Sequence, residues 1–133
     1  RAALWQRAAG WREQLVAGVL ADVEGAVESA AAAHEVVPGI VNLCAPEVDS
    51  EALLFLLEHD HRVLASAASS CASGAQAPSH VLAGMGIDRS LAAGSLRLSM
   101  GWTTTDDDIA AARTGVPEAI AKLRSHARDG APA

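Results

Sequence analysis

Aromatic residues, lysine and cysteine are all scarce in this sequence. Three tryptophans and one phenylalanine are its whole aromatic complement in 133 residues, so a core has to be assembled from leucine, valine, isoleucine and alanine. The length suits one hydrophobic core and one domain. Ten basic residues stand against sixteen acidic ones, for a formal charge of −6, which argues against a surface for nucleic acid or anionic membrane. The two cysteines, Cys44 and Cys71, come without a signal-peptide pattern. They therefore point to a reducing compartment, the cytoplasm, rather than to a disulfide scaffold. No apolar run approaches the roughly 18 residues of a membrane span, so a soluble protein is expected. Glycine-rich phosphate loops of the standard types and a Ser–His–Asp pattern are both missing. The text opens at Arg1 already in helical periodicity, which reads as a piece of something longer.

Several elements are legible. Leu4, Ala8, Trp11, Leu15, Val19 and Val23 recur every three or four residues, the period of one helix face, and Gly25 is placed to end that helix. A weak strand at "AVES" precedes "GIVNLCAP", a strand stopped by Pro46 with Cys44 on the side of Ile40 and Asn42. Asp49 or Ser50 caps a helix carrying Leu53, Leu54, Leu56 and Leu57 to about Glu58. "RVLAS" reads as a short strand leading into "ASAASSCASGAQAPSH", and Pro78 suits the first turn of a helix ending at Gly86. "SLRLSM" alternates as a strand does, with Leu96 and Leu98 on one face and Arg97 on the other. "TTTDDD" is a threonine cap followed by first-turn carboxylates, and the helix it starts meets Gly115 and Pro117, which predict a kink or break. "SHARDGAPA" reads as a frayed tail. The order implies a small two-layer α/β sandwich, a three- or four-stranded sheet covered by helices.

Cys44, among strand residues, reads as a small buried hydrophobe. Cys71 differs, because Ser66, Ala67, Ala68, Ser69, Ser70, Ala72, Ser73 and Gly74 cannot build a core around it. Its thiol is either an ordinary loop cysteine or an accessible nucleophile, and no charge in the adjacent sequence lowers its pKa. Arg97 either snorkels to the surface or offers its planar fork to a carboxylate. His59 and His61 lack further ligands nearby and suit a helix C-terminus better than a metal, and His80 suits a structural place in a first turn. Capping accounts for "TTTDDD" without a cation.

Taken together, "ASAASSCASGAQAPSHVL", "GSLRLSMG", "TTTDDDI" and the earlier "VPGIVNLCAP" with "VDSEALLFLLE" resemble the C-terminal part of the cysteine desulfurases. These are pyridoxal-phosphate enzymes of the class V aminotransferase group, of fold type I. The likeness runs from about residue 11 to 124. It implies that Cys71 is the nucleophile that takes sulfur from L-cysteine as a persulfide, leaving alanine, and that Arg97 grips the substrate α-carboxylate. A loop of small residues then lets the thiol travel between the place where it collects sulfur and an acceptor such as an iron–sulfur scaffold.

The sequence departs from the family pattern at Ala68, where glycine is usual, and at Trp102, where arginine or histidine often stands. The larger departure concerns the family's Schiff-base lysine, which usually follows a histidine on a preceding large domain. The sole lysine here is Lys122, without that context. Residues 1–133 are therefore expected to be a single small C-terminal domain, with pyridoxal phosphate held by a large domain outside them and no metal. The expected partners are L-cysteine, the large domain and a sulfur acceptor, within a homodimer when complete, for iron–sulfur or thio-cofactor synthesis. A non-catalytic carrier or docking module without cofactor, and a purely structural domain, are the rival readings.

Overall fold

A computed structural model describes residues 2–29, 37–67 and 89–129. Helix α1 spans Ala2–Asp22 and buries Ala8, Trp11, Leu15 and Val19, the face expected from its periodicity. Gly25 follows in a turn at φ +79°, a conformation glycine adopts without steric cost. The short strand β1, Val27–Glu28, leads to β2, Ile40–Cys44. Helix α2, Ser50–His61, is capped by Asp49, whose side chain accepts the Ala52 N–H at 3.0 Å. A one-turn helix α3, Arg89–Ala92, precedes β3, Ser95–Ser99, and the long helix α4, Asp106–Asp129, follows.

The strands form an antiparallel sheet in the order β1-β2-β3. Alternation along β2 and β3 turns Val41, Leu43, Leu96 and Leu98 toward the helices, where they join Trp11, Leu15, Val19, Leu53, Leu57, Ile109, Val116 and Ile120 in one core. Burial of these aliphatic side chains is the main source of stability, and tryptophan supplies the only aromatic surface in the cluster. Trp11 also reaches across the layer, donating its indole N–H to Asp106 Oδ1 at 2.7 Å and so joining α1 to the start of α4. The architecture is the small α/β sandwich expected, with three strands.

Three local expectations are corrected. "RVLAS" is not a strand: Arg62, at φ +56°, ends α2, its N–H goes to Glu58 O, and the Val63 N–H goes to Leu57 O. Those donors serve the helix terminus, and only Ser66 makes a bridge to the sheet. Gly115 and Pro117 do not break α4, which is continuous through both. Ile109, Ala112, Val116, Ala119 and Ile120 anchor the helix on either side of the proline. At Gly115 any Cβ would stand 2.9 Å from His61 Cγ, so the glycine admits the end of α2. The tail is helical through Asp129, with Arg124 hydrogen-bonded to Pro46 O and Glu24 O. The helix expected at Pro78 lies outside the described residues.

Candidate functional site

The face of the sheet turned away from the helical core carries Ile40, Asn42 and Cys44 from β2 and Ser95, Arg97 and Ser99 from β3. Arg97 is held from its outer side by Ser66. The Arg97 N–H donates to Ser66 O at 2.6 Å, the Ser66 N–H donates to Arg97 O at 3.0 Å, and Arg97 Nε donates to Ser66 Oγ at 3.1 Å. On the inner side Asn42 stands directly opposite Arg97. Beyond it, Ser29 donates its N–H to Asn42 O at 3.1 Å. Four polar residues, Ser66, Arg97, Asn42 and Ser29, thus cross the sheet in one row. Among the described residues no carboxylate pairs with Arg97. The second expected site residue, Cys71, lies outside the described residues, as does His80.

Sequence reading singled out Arg97 but passed over Ser66 and Asn42. A polar side chain inside the apolar run "IVNLC" was the available signal for Asn42. Nothing distinguished Ser66 from its serine and alanine neighbours, because its role depends on a pairing 31 residues away. Trp102, where the resemblance fails, is 80% exposed.

Cys44 is fully buried beside Ala92, Val27 and Leu91. Burial pushes its thiol pKa up, which keeps it protonated and unreactive at neutral pH. A neutral maleimide should therefore leave Cys44 unmodified in the folded protein and modify it after denaturation, as peptide mass spectrometry reads. Labelling of native Cys44 at the rate of a free thiol would contradict its placement.

The histidines of "HDHR" serve local contacts. His59 stacks on Phe55, with ring centroids 5.5 Å apart, and its Nδ1 lies 2.7 Å from Asp60 Oδ1, while His61 packs against Gly115. Hydrogen bonds from His59 and then Lys122 hold the Asp60 carboxyl below the usual range. Among the described residues no group of three or more His, Cys, Asp or Glu is disposed to hold a metal. Nor do these residues suit pyridoxal phosphate, which requires a lysine for its aldehyde. Lys122, the only lysine, is on α4 and bonded to Asp60 at 3.1 Å, in the helical layer rather than on the Arg97 face. A cleft of about 360 Å³ with Leu15, Leu98, Ile109 and Ala112 among its lining residues lies on the helical side and is not lined by Arg97. No described helix is long and apolar enough to cross a membrane.

No family model matches the chain. It is similar to an IscS-like cysteine desulfurase of Mycobacterium tuberculosis, at 37% identity over 85% of this chain and 28% of the relative. It is also similar to the cysteine desulfurase NifS of Azotobacter vinelandii, at 34% identity over 86% of this chain and 28% of that protein. The chain thus spans little more than a quarter of the length of these curated relatives. Among solved structures, a NifS-like protein superposes with a TM-score of 0.72 at 21% identity, covering 91% of this chain and 29% of the other. A second, from Rickettsia africae, gives 0.67 at 22% identity, covering 92% of this chain. At those identities the likeness bears on the fold.

Proposed function

Because the chain belongs to the cysteine desulfurase family, over a segment little more than a quarter of a member's length, we propose that it is the family's small C-terminal domain. Its share of the chemistry is to receive and present sulfur on Cys71 and to anchor substrate through Arg97. The observation that carries this reading is the Ser66–Arg97 bridge, which sets the stem of the cysteine segment against the one arginine of the sheet face. Cys71 follows Ser66 by five residues. Five residues of chain reach at most about 18 Å, a tether whose span includes a carboxylate held by Arg97.

The transfer balances without an external oxidant. The C–S bond of L-cysteine breaks and an S–S bond to Cys71 forms. The carbon keeps the electron pair and takes the proton given up by the Cys71 thiol, yielding alanine and a persulfide. Arg97 orients the substrate by two parallel charge-assisted hydrogen bonds to its carboxylate. Pyridoxal phosphate and its lysine belong to a separate domain, and the persulfide passes to an acceptor such as an iron–sulfur scaffold. The thiol has to stay out of disulfides to accept sulfur, which supports a cytoplasmic setting.

Mass spectrometry tests this directly. The chain joined to a cofactor-bearing domain and given L-cysteine should carry one extra sulfur atom on the Cys71 peptide and release alanine. Sulfur on Cys44, or on neither cysteine, refutes the assignment. No described residue suits pyridoxal phosphate, which leaves a second reading, a non-catalytic sulfur carrier that works without cofactor. That carrier would accept sulfur from a persulfidated donor protein and would release no alanine from cysteine in any pairing.

A further inference from the structure

We propose that Asn42 is a positioning residue for Arg97, its side-chain carbonyl taking one guanidinium N–H so that the fork faces a substrate carboxylate end-on. The inference rests on reading Arg97 as the carboxylate anchor and adds a residue to that site. It begins from register. Arg97 turns its backbone N–H and C=O toward Ser66, and Asn42 turns its C=O toward Ser29. Arg97 and Asn42 therefore form a non-hydrogen-bonded antiparallel pair, the kind whose Cα atoms approach to about 4.5 Å and whose side chains lie closest.

The donors of the guanidinium can then be assigned. Nε is committed to Ser66 Oγ, which removes the side-on mode of carboxylate binding that uses Nε with one terminal nitrogen. The end-on mode remains, with one N–H from each terminal nitrogen. Two further N–H groups, one on each flank of the plane, need acceptors or water. Asn42 Oδ1 is a buried acceptor that has no hydrogen-bond partner, an arrangement folded proteins seldom leave uncompensated. Asn42 and Arg97 are cross-strand partners on the same face, so a flank N–H of Arg97 is the donor the register sets nearest to that need. Held by Ser66 on one side and Asn42 on the other, the plane cannot turn its fork away from a ligand. A neutral amide suits the task because it accepts an N–H without offering Arg97 a rival carboxylate.

The test uses the chain joined to the cofactor-bearing domain, with the Kd for L-alanine by calorimetry and KM and kcat for L-cysteine. Asn42→Ala should raise both Kd and KM about five- to tenfold, the loss of one hydrogen bond's orientation, while kcat stays within about twofold. Asn42→Asp keeps the acceptor oxygen yet sets a carboxylate beside Arg97, and should raise KM further than alanine does. In an Arg97→Lys background, Asn42→Ala should add less than about twofold, because the fork it orients is gone. Should Asn42→Ala fold poorly, Asn42→Thr, which suits a strand and keeps a shorter acceptor, should give values between wild type and alanine.

Unchanged Kd and KM in Asn42→Ala, with both raised in Arg97→Lys, overturn this inference alone. A lowered urea midpoint with unchanged Kd overturns it too, by showing a purely structural role. No effect in Arg97→Lys removes the carboxylate anchor itself, and the inference with it.

Discussion

Cys71→Ser, in the chain joined to a cofactor-bearing domain, should lower the rate of alanine release from L-cysteine by about three orders of magnitude or more, as loss of a nucleophile does. The hydroxyl is a far weaker nucleophile than a thiolate, and no S–S bond can form to it. Cofactor loading should stay at the wild-type level, because the proposal puts the cofactor's lysine on another domain. L-Alanine binding should also be unchanged, since the proposal assigns the carboxylate to Arg97. The measurement is alanine release under single-turnover and steady-state conditions beside a Kd titration. Turnover within tenfold of wild type would remove Cys71 from the reaction, and a large loss of alanine affinity would mean that the segment shapes the substrate site instead. Cys44 cannot substitute for Cys71, because it is fully buried and its thiol pKa is raised.

The second large effect concerns folding. Gly94→Ala should destabilise the protein by about 3 kcal/mol or more, a large share of a typical domain's total stability. Gly94 sits between α3 and β3, and a Cβ there would stand 2.1 Å from Ala45 O and 3.0 Å from Val48 O. Both are backbone atoms, so the clash cannot be relieved by swinging a side chain aside. The turn is tied down from several directions. The Ala45 N–H donates to Gly94 O at 3.2 Å, the Ser50 N–H donates to Ala93 O at 3.1 Å, and Ser50 Oγ lies within 2.8 Å of both Ala93 O and Ser95 O. Displacing it shifts the start of β3 and with it the register that sets Arg97 opposite Asn42. Urea denaturation followed by tryptophan fluorescence measures the loss. A wild-type midpoint would mean that the α3–β3 turn does not approach Ala45 as described.

Much of the fold was legible because its signals are local. The face of α1 from Ala8 to Val19 follows from spacing within one segment, as does the burial of Leu96 and Leu98 against Arg97 on the other side of β3. The threonine and aspartates before α4 form a reciprocal cap: the Asp108 N–H donates to Thr105 Oγ1 at 3.2 Å, and the Thr105 N–H to Asp108 Oδ2 at 2.8 Å. That too is a four-residue pattern. The misread elements have two different causes. Val63 gives its N–H to Leu57 O at the end of α2, a local helix-capping pattern that takes the donor from the sheet, whereas α4 runs through Pro117 because the distant elements of the core grip both sides of it.

Of the candidate site, Arg97 was visible as the charged residue out of place on an apolar strand, and Cys71 as a thiol among side chains too small to bury it. The order of elements and the aliphatic core were thus determined by residue types and their short-range spacing, while the class of chemistry came from the family resemblance alone. Tertiary structure alone decided what surrounds Arg97. Ser66 and Asn42 lie 31 and 55 residues from it, on separate sides, and meet it through strand register. Register depends on how several elements bury their apolar faces at once, so no single stretch of sequence contains it.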